Sequence, residues 1–246
     1  MAAKQRIDEL LLERGLAPSI EKARAMLMAG EVQLGGQPIT KAGELVPADS
    51  QLTLKSKKRS FVSRGGDKLA PALAYFSVEV QDRVALDLGA ATGGFTDCLL
   101  RHGANLVYAV DVGKNQLDFR LREDPRVKVY EETHANQLPS LSLEPAPSLA
   151  TVDVSFIGLT KVLSFLKQVI LPGGHILALV KPQFELPSDL IEPGGVVRNP
   201  EHQQLAVNQV KEYGIGLGLD FCGDFASTVR GAKKGNQEFF IYFLCR

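Results

Sequence analysis

Val84-Ala85-Leu86-Asp87-Leu88-Gly89-Ala90-Ala91-Thr92-Gly93-Gly94-Phe95 is the stretch whose reading decides the fold of this chain. An apolar run ends in small residues, and a helix pattern follows over 94–102. That order reads as strand, tight turn and helix, the opening unit of an open parallel sheet. Small residues let the backbone pass close to a ligand. The N–H groups that open the next helix then face an anionic group. A second acid, Asp111, closes the following apolar run, 22 residues beyond Gly89. An acid so placed takes the hydroxyls of an adenosine ribose.

Two cofactors suit such a turn. A dinucleotide needs Gly-x-Gly-x-x-Gly, because its pyrophosphate requires the second glycine for close approach. Here that position holds Ala91, and Gly93-Gly94 are displaced. Asp87 would repel a pyrophosphate, but it could hold the ammonium of S-adenosylmethionine. The methyl donor is therefore the expected cofactor, with NAD as the alternative and a ligand-free turn as the plainest reading. The expected contacts are Asp87, Gly89, Ala90, Thr92, Gly93, Gly94, Phe95 and Asp111.

Downstream, strands are expected at 84–89, 106–112, 127–131, 149–156, 175–182, about 219–226, and 239–245. Helices fit 67–77, 94–102, 158–169 and 200–213. Alternating strand and helix predicts an α/β domain, a doubly wound sheet with helices on both faces. Pro145 and Pro147 mark a loop, and no internal repeat or low-complexity tract interrupts the pattern.

Upstream the pattern differs. Ile7, Leu10, Leu11 and Leu16 form a helical stripe over 5–17 that stops at Gly15. Ser19 can cap a second helix carrying Ala23, Met26 and Leu27 and ending at Gly30. Val32 and Leu34, a Gly35-Gly36 turn and Ile39 read as a hairpin, and a short strand lies within 44–54. Lys55, Lys57, Lys58 and Arg59 make a basic linker. The predicted division is a small α+β domain with linker at 1–59 and an α/β domain at 60–246.

Residues 1–60 carry ten Lys/Arg against seven Asp/Glu, leaving 18 against 21 for the remainder. The mildly basic front end fits a polyanionic partner, and on charge alone it fits an ordinary solvated surface equally well. Cys98, Cys222 and Cys245 stand at no metal-ligand or redox spacing, so a reduced, cytoplasmic protein without a metal is expected. No signal peptide and no run of about 18 apolar residues are visible, so no stable membrane association is expected.

Four charged residues fall where such a sheet binds ligands. Lys68 opens the helix before the first strand, Asp153 ends the fourth, Lys181 ends the fifth, and Glu238 begins the last. If the last strand runs antiparallel, all four reach the carboxyl edge of the sheet. Singly, each would be an ordinary surface ion pair. Together, two lysines and two carboxylates suit methylation of an alcohol. Lys181 can act as a base or stabilise a developing alkoxide, with Asp153 and Glu238 orienting it. Lys68 would complete the network.

These residues, with Val62 to Leu69, Val180 to Glu185, Gly194 to Arg198 and Gly235 to Glu238, resemble the hemolysin A / TlyA family of S-four-domain ribosomal RNA 2′-O-methyltransferases, related to the FtsJ type. The resemblance spans nearly the whole chain. It implies a Rossmann-like class I methyltransferase sheet and S-adenosylmethionine as cofactor. It carries a Lys-Asp-Lys-Glu tetrad onto Lys68, Asp153, Lys181 and Glu238. Cytidine riboses of ribosomal RNA or ribosomal subunits become the implied substrate.

The front end resembles the S-four RNA-binding module, in which Arg6, Lys22, Arg24 and Lys41 would contact phosphates. Ile20 stands where relatives often carry Arg, and His134 and Asn136 replace commoner residues near the expected adenine side. The competing readings are a membrane-active hemolysin, a catalytically silent RNA-binding factor and an NAD-dependent reductase.

Overall fold

The computed structural model describes residues 4–54, 61–231 and 235–246. The chain forms two compact units, Met1–Lys58 and Arg59–Arg246. The expected basic linker of Lys55, Lys57, Lys58 and Arg59 lies outside the described residues.

The small unit runs β1 (Lys4–Arg6), α1 (Ile7–Glu13), α2 (Ile20–Met28), β2 (Val32–Leu34), β3 (Gln37–Pro38), β4 (Leu45–Pro47) and β5 (Leu52–Leu54). Ile7, Leu11, Ala23, Leu27 and Val32 are fully buried at its centre. Ser19 caps α2 by accepting the Lys22 N–H at 3.2 Å. Gly35 (φ +56°) and Gly36 (φ +83°) turn β2 into β3, since a two-residue hairpin turn needs positive φ at both positions.

Two expectations shift. Residues 4–6 pair antiparallel with β4, so the first helix is shorter than 5–17 and Arg6 stands at its threshold. The segment 44–54 holds two strands in separate sheets, because the chain turns at Ala48 and Asp49.

The large unit runs α3 (Arg64–Tyr75), β6 (Val84–Leu88), α4 (Gly94–Arg101), β7 (Leu106–Val110), α5 (Phe119–Arg122), β8 (Val127–Tyr130), β9 (Leu149–Val152), α6 (Leu163–Val169), β10 (His175–Val180), α7 (Pro182–Glu185), α8 (Pro200–Gly216), β11 (Leu219–Ala226) and β12 (Phe239–Cys245). Its sheet has the order β11-β12-β10-β9-β6-β7-β8. β12 is antiparallel to both of its neighbours, and the β10-β9-β6-β7-β8 pairings are parallel.

Alternate strand residues feed two cores. Leu86, Tyr108, Ile176 and Phe243 face one way, and Ala85, Val107, Leu177 and Phe240 the other. Both faces are covered, as the near-continuous apolar strands require. The strand order reverses between β6 and β9, and that switch point opens the ligand crevice at the carboxyl edge.

Element ends moved where local chemistry outranked periodicity. Ser63 accepts the Gly65 N–H at 3.3 Å and starts α3 at Arg64, so Lys68 sits one turn inside the helix rather than opening it. β9 ends at Val152, and residues 153–158 form a loop before a 3-10 turn, Leu159–Lys161. Pro182 has no N–H to give a ladder, so β10 stops at Val180 and Lys181 caps α7.

Candidate active site

The glycine-rich turn is bent by necessity. Gly89 has φ +86°, and a Cβ there would lie 2.5 Å from the Asp153 carbonyl oxygen. Only glycine lets β6 and the loop after β9 approach so closely. Ala91, at φ +46°, holds a left-handed conformation that costs a side-chain-bearing residue about 1–2 kcal/mol. Asp111 secures it: one carboxylate oxygen accepts the Ala91 N–H at 2.9 Å and the other accepts the Gly113 N–H at 2.6 Å. Gly93 is the left-handed N-cap of α4. A Cβ on Gly94 would lie 2.2 Å from Ser63 Oγ and 2.9 Å from Gly65 Cα, so α3 and α4 begin almost in contact. That closeness brings Lys68 to the sheet edge.

A two-lobed cleft follows. One lobe, about 390 Å³, is lined by Lys68, Gly89, Ala90, Thr92, Gly94, Phe95, Lys181 and the rim residues Arg64 and Arg230. The other, about 490 Å³, is more apolar, with Val112, Val154, Ile157 and Val162 around Asp111 and His134. Gly89, Ala91, Asp153 and Ser155 belong to both lobes. Asn136 lies in an adjoining hollow with Lys161.

Asp87 is placed otherwise than expected. Its side chain is 0% exposed and lines neither lobe. Thr96 Oγ1 donates to it at 2.6 Å and Thr151 Oγ1 at 3.4 Å. Burial beneath the start of α4 pushes its carboxyl up to about 7, against the pull of those hydroxyls. Asp87 thus ties β6, β9 and α4 together under the turn, and its carboxylate does not face a ligand in the cleft.

The four charged residues do meet. Lys181 Nζ stands 2.6 Å from Asp153 Oδ1 and donates to Ser155 Oγ at 2.8 Å. Asp153 Oδ2 lies 4.0 Å from Lys68 Nζ, which stands 2.6 Å from Glu238 Oε2. The charges alternate along this chain and sum to zero. With Lys181 7% and Glu238 3% exposed, that pairing is what makes their burial tolerable. Antiparallel β12 brings Glu238 to the same edge as the ends of β9 and β10. Asn236 accepts the Val197 N–H at 3.1 Å and donates to the Gly195 carbonyl at 2.9 Å, joining the Gly194–Arg198 and Gly235–Glu238 segments.

Several residues at the site were missed by sequence reasoning. Ser155 touches Lys181, and Arg64 Nη2 donates to the Arg230 carbonyl at 2.9 Å on the rim. Phe156 is 88% exposed at φ +66°, its ring 5.3 Å from that of Phe184. The aromatic within Asp153-Val154-Ser155-Phe156 was a usable signal for the last of these.

In the small unit, Arg6 and Arg24, expected as phosphate contacts, are about half exposed and also hold an acid of their own unit. Both grip Asp8, which is 0% exposed: Arg6 at 3.1 and 2.8 Å, Arg24 at 2.9 Å. The Arg6 hydrogen bonds, reinforced by Arg24, hold the Asp8 carboxyl at about 2. An acid two residues after Arg6 and one helix away from Arg24 was close enough to claim both. Lys22 and Lys41 are exposed.

Among the described residues, no helix is long and apolar enough to cross a membrane, and no group of three or more His, Cys, Asp or Glu is placed to hold a metal ion. The FtsJ-like methyltransferase family model matches residues 61–244, and the S4 domain model matches residues 5–52. The chain is 40% identical over 243 residues to the 16S/23S rRNA (cytidine-2'-O)-methyltransferase TlyA of Mycobacterium tuberculosis, covering 98% of this chain and 90% of that one. It is 36% identical over 241 residues to Hemolysin A of Brachyspira hyodysenteriae, covering 97% and 99%. A solved hemolysin-named protein of Streptococcus thermophilus superposes with a TM-score of 0.77 at 40% identity, covering 100% of this chain and 90% of that one. The turn, the two-lobed cleft and these matches lead to one assignment: the chain belongs to the FtsJ-like methyltransferase family, carries an S4 domain ahead of its catalytic unit, and takes its methyl group from S-adenosylmethionine.

Proposed function

We propose that this enzyme methylates a ribose 2′-hydroxyl of ribosomal RNA, with cytidine as the target nucleoside. The observation that carries this reading is the chain Lys181–Asp153–Lys68–Glu238 at the edge of the cleft. The relative from M. tuberculosis bears that activity in its name.

S-adenosylmethionine, when bound, supplies an electrophilic methyl group. The turn from Gly89 to Phe95, with Asp111, would hold it, Asp111 toward the ribose hydroxyls and the apolar lobe around the adenine. Asp87 contributes by fixing the turn from below.

A ribose hydroxyl attacks poorly until its proton leaves. Nζ of Lys181 is the atom placed to take that proton once the ammonium paired with Asp153 at 2.6 Å has released its own to solvent, and the same carboxylate stabilises the ammonium that re-forms. Ser155 fixes the direction of the amine. Lys68, between Asp153 and Glu238, balances the two carboxylates so that Asp153 keeps its orientation. The residues work as a unit, so removing one disables the others.

Exposed Lys22 and Lys41, with the outer edges of Arg6 and Arg24, would meet RNA phosphates. The division of labour is an S4 anchor at 1–59 and a catalytic domain at 60–246. Ribosomal RNA or ribosomal subunits are the partner, which makes the enzyme cytoplasmic. A lytic role has only a relative's name in its favour.

The test is transfer of tritiated methyl from S-adenosylmethionine onto isolated ribosomal subunits and naked ribosomal RNA, followed by mapping. Label on a cytidine 2′-oxygen is expected. Label on a base, or none on RNA, overturns the proposal.

A further inference from the structure

We infer that Glu185 is a positioning residue for methyl transfer, latching the loop that carries Asp153, Ser155 and Phe156 to the turn that carries Lys181. The inference rests on the function proposed above, and it concerns a carboxylate that the Lys-Asp-Lys-Glu chemistry leaves unused.

Two segments are involved. The loop 153–158 leaves β9 and ends at the 3-10 turn Leu159–Lys161. The single turn α7 follows Lys181 directly. At one end they meet through Lys181, 2.6 Å from Asp153 and 2.8 Å from Ser155. In the middle the Phe156 and Phe184 rings lie 5.3 Å apart. At the far end Glu185 Oε1 accepts the Leu159 N–H at 2.8 Å. Without that last bond, the far end of the loop would lose its polar tie to α7.

Position 158 is shaped around the carboxylate. A Cβ on Gly158 would lie 2.9 Å from Glu185 Oε2 and 3.1 Å from the Phe184 carbonyl, so this glycine admits the acid. Phe156, between the two anchors, has φ +66°. A bulky residue persists in that conformation only where its surroundings over-determine it. The loop also supplies Val154, Ser155, Phe156 and Ile157 to the apolar lobe, so one latch fixes both the base-side lysine contact and a cofactor wall.

Stability alone does not explain an acid here. Burial pushes the Glu185 carboxyl up to about 7, with the Leu159 N–H opposing the shift. A desolvated carboxylate that receives one backbone N–H is a costly way to cap a 3-10 turn. What it provides is a fixed distance between two catalytic segments. Misplacement by about 1 Å at a remote site can cost on the order of a hundredfold in rate.

Glu185→Gln and Glu185→Leu separate the acceptor from the packing, since glutamine keeps an oxygen for Leu159 and leucine keeps only bulk. Hydrogen exchange by mass spectrometry should show faster exchange over 155–159 in Glu185→Leu and wild-type exchange in Glu185→Gln. Methylation of ribosomal RNA should fall about tenfold to a hundredfold in kcat for Glu185→Leu, with KM for RNA nearly unchanged. Glu185→Gln should stay within about threefold of wild type. Unchanged loop exchange in Glu185→Leu, faster exchange with wild-type kcat, or equal defects in both variants would each overturn the inference. If wild type methylates no RNA, the functional reading falls, while exchange and S-adenosylmethionine affinity still decide whether Glu185 fixes the loop.

Discussion

Asp153 and Lys181 follow the ends of neighbouring parallel strands, and although the β9–β10 register, with Val152 beside Ala178, sets Lys181 two residues further along than Asp153, their side chains meet at 2.6 Å. The contact is set by where the two strands end, Asp153 being the first residue after β9 and Lys181 the first after β10. Lys181→Ala should therefore leave the sheet and the turn intact, with Lys68 still near Asp153. S-adenosylmethionine affinity should stay within about threefold, while turnover should fall about a hundred- to ten-thousand-fold, the range for a lost proton acceptor. Titration calorimetry paired with single-turnover methyl transfer checks both. Near-normal turnover would remove Lys181 from the mechanism.

Asp111 makes the opposite prediction, a loss in binding. Its carboxylate fastens Ala91, which holds a strained backbone conformation, and Gly113. Asp111→Ala should cost S-adenosylmethionine about 1–3 kcal/mol of affinity, the scale of an unpaired polar group in a site. Calorimetric binding equal to wild type would take Asp111 out of the cofactor site.

Much of this arrangement was legible because strand ends are set by the length of apolar runs. Lys181 follows such a run, Asp153 and Asp111 follow two others, and Glu238 precedes the last. The glycines were legible because close approach excludes other residues. What escaped depends on neighbours distant in sequence. Asp87 lies in the run that announces the site, yet what covers it is decided by Thr96 and Thr151. Charge counting saw Arg6 and Arg24 as outward cations and missed Asp8. A helix start at 67 overlooked Ser63 as a cap. The positive φ of Phe156 has no sequence signature in a bulky residue; it follows from anchors on both sides of its loop.

Phe156 offers a test in which stability and activity move apart. Its ring is 88% exposed, and its backbone conformation is one that glycine adopts freely. Phe156→Gly should leave Tm unchanged or raised. An exposed ring on the rim suits stacking on a nucleobase, worth about 1–3 kcal/mol. RNA affinity or turnover should fall accordingly, while S-adenosylmethionine binding holds. A thermal melt with RNA filter binding checks the pair, and undiminished RNA affinity and turnover would show that the ring meets no base.

The S4 unit makes the last prediction, and its wiring dictates which variants are informative. Reversing Arg6 and Arg24 would test RNA binding only if those side chains were free, but both hold buried Asp8. The damage would spread into the core around Ile7 and Leu11. Lys22→Ala with Lys41→Ala is the cleaner choice, since both residues are exposed. Each phosphate contact on single-stranded RNA contributes about 0.7 to the slope of log affinity against log salt, so the double variant should flatten it by about 1.4. Wild-type affinity and slope would mean that these lysines are not the anchor. Asp8 should show its structural role through pH. Its folded carboxyl sits at about 2, below the ordinary value, so the stability it contributes is present above about pH 4 and is lost as pH falls toward 2. The Tm difference between wild type and Asp8→Asn should be full at pH 7 and shrink toward zero near pH 2. A truncated chain beginning at Ser60 completes the case. It retains Phe61, whose ring lies 5.2 Å from the Arg101 guanidinium, and the Val62 N–H bond to Asp97 at 2.8 Å. Those contacts belong to the catalytic unit, so the shortened protein should fold, bind S-adenosylmethionine and lose chiefly RNA affinity. Filter binding across a salt series on the three proteins decides it: if the truncated chain binds RNA with the affinity and slope of the full chain, the S4 unit is not where RNA is held.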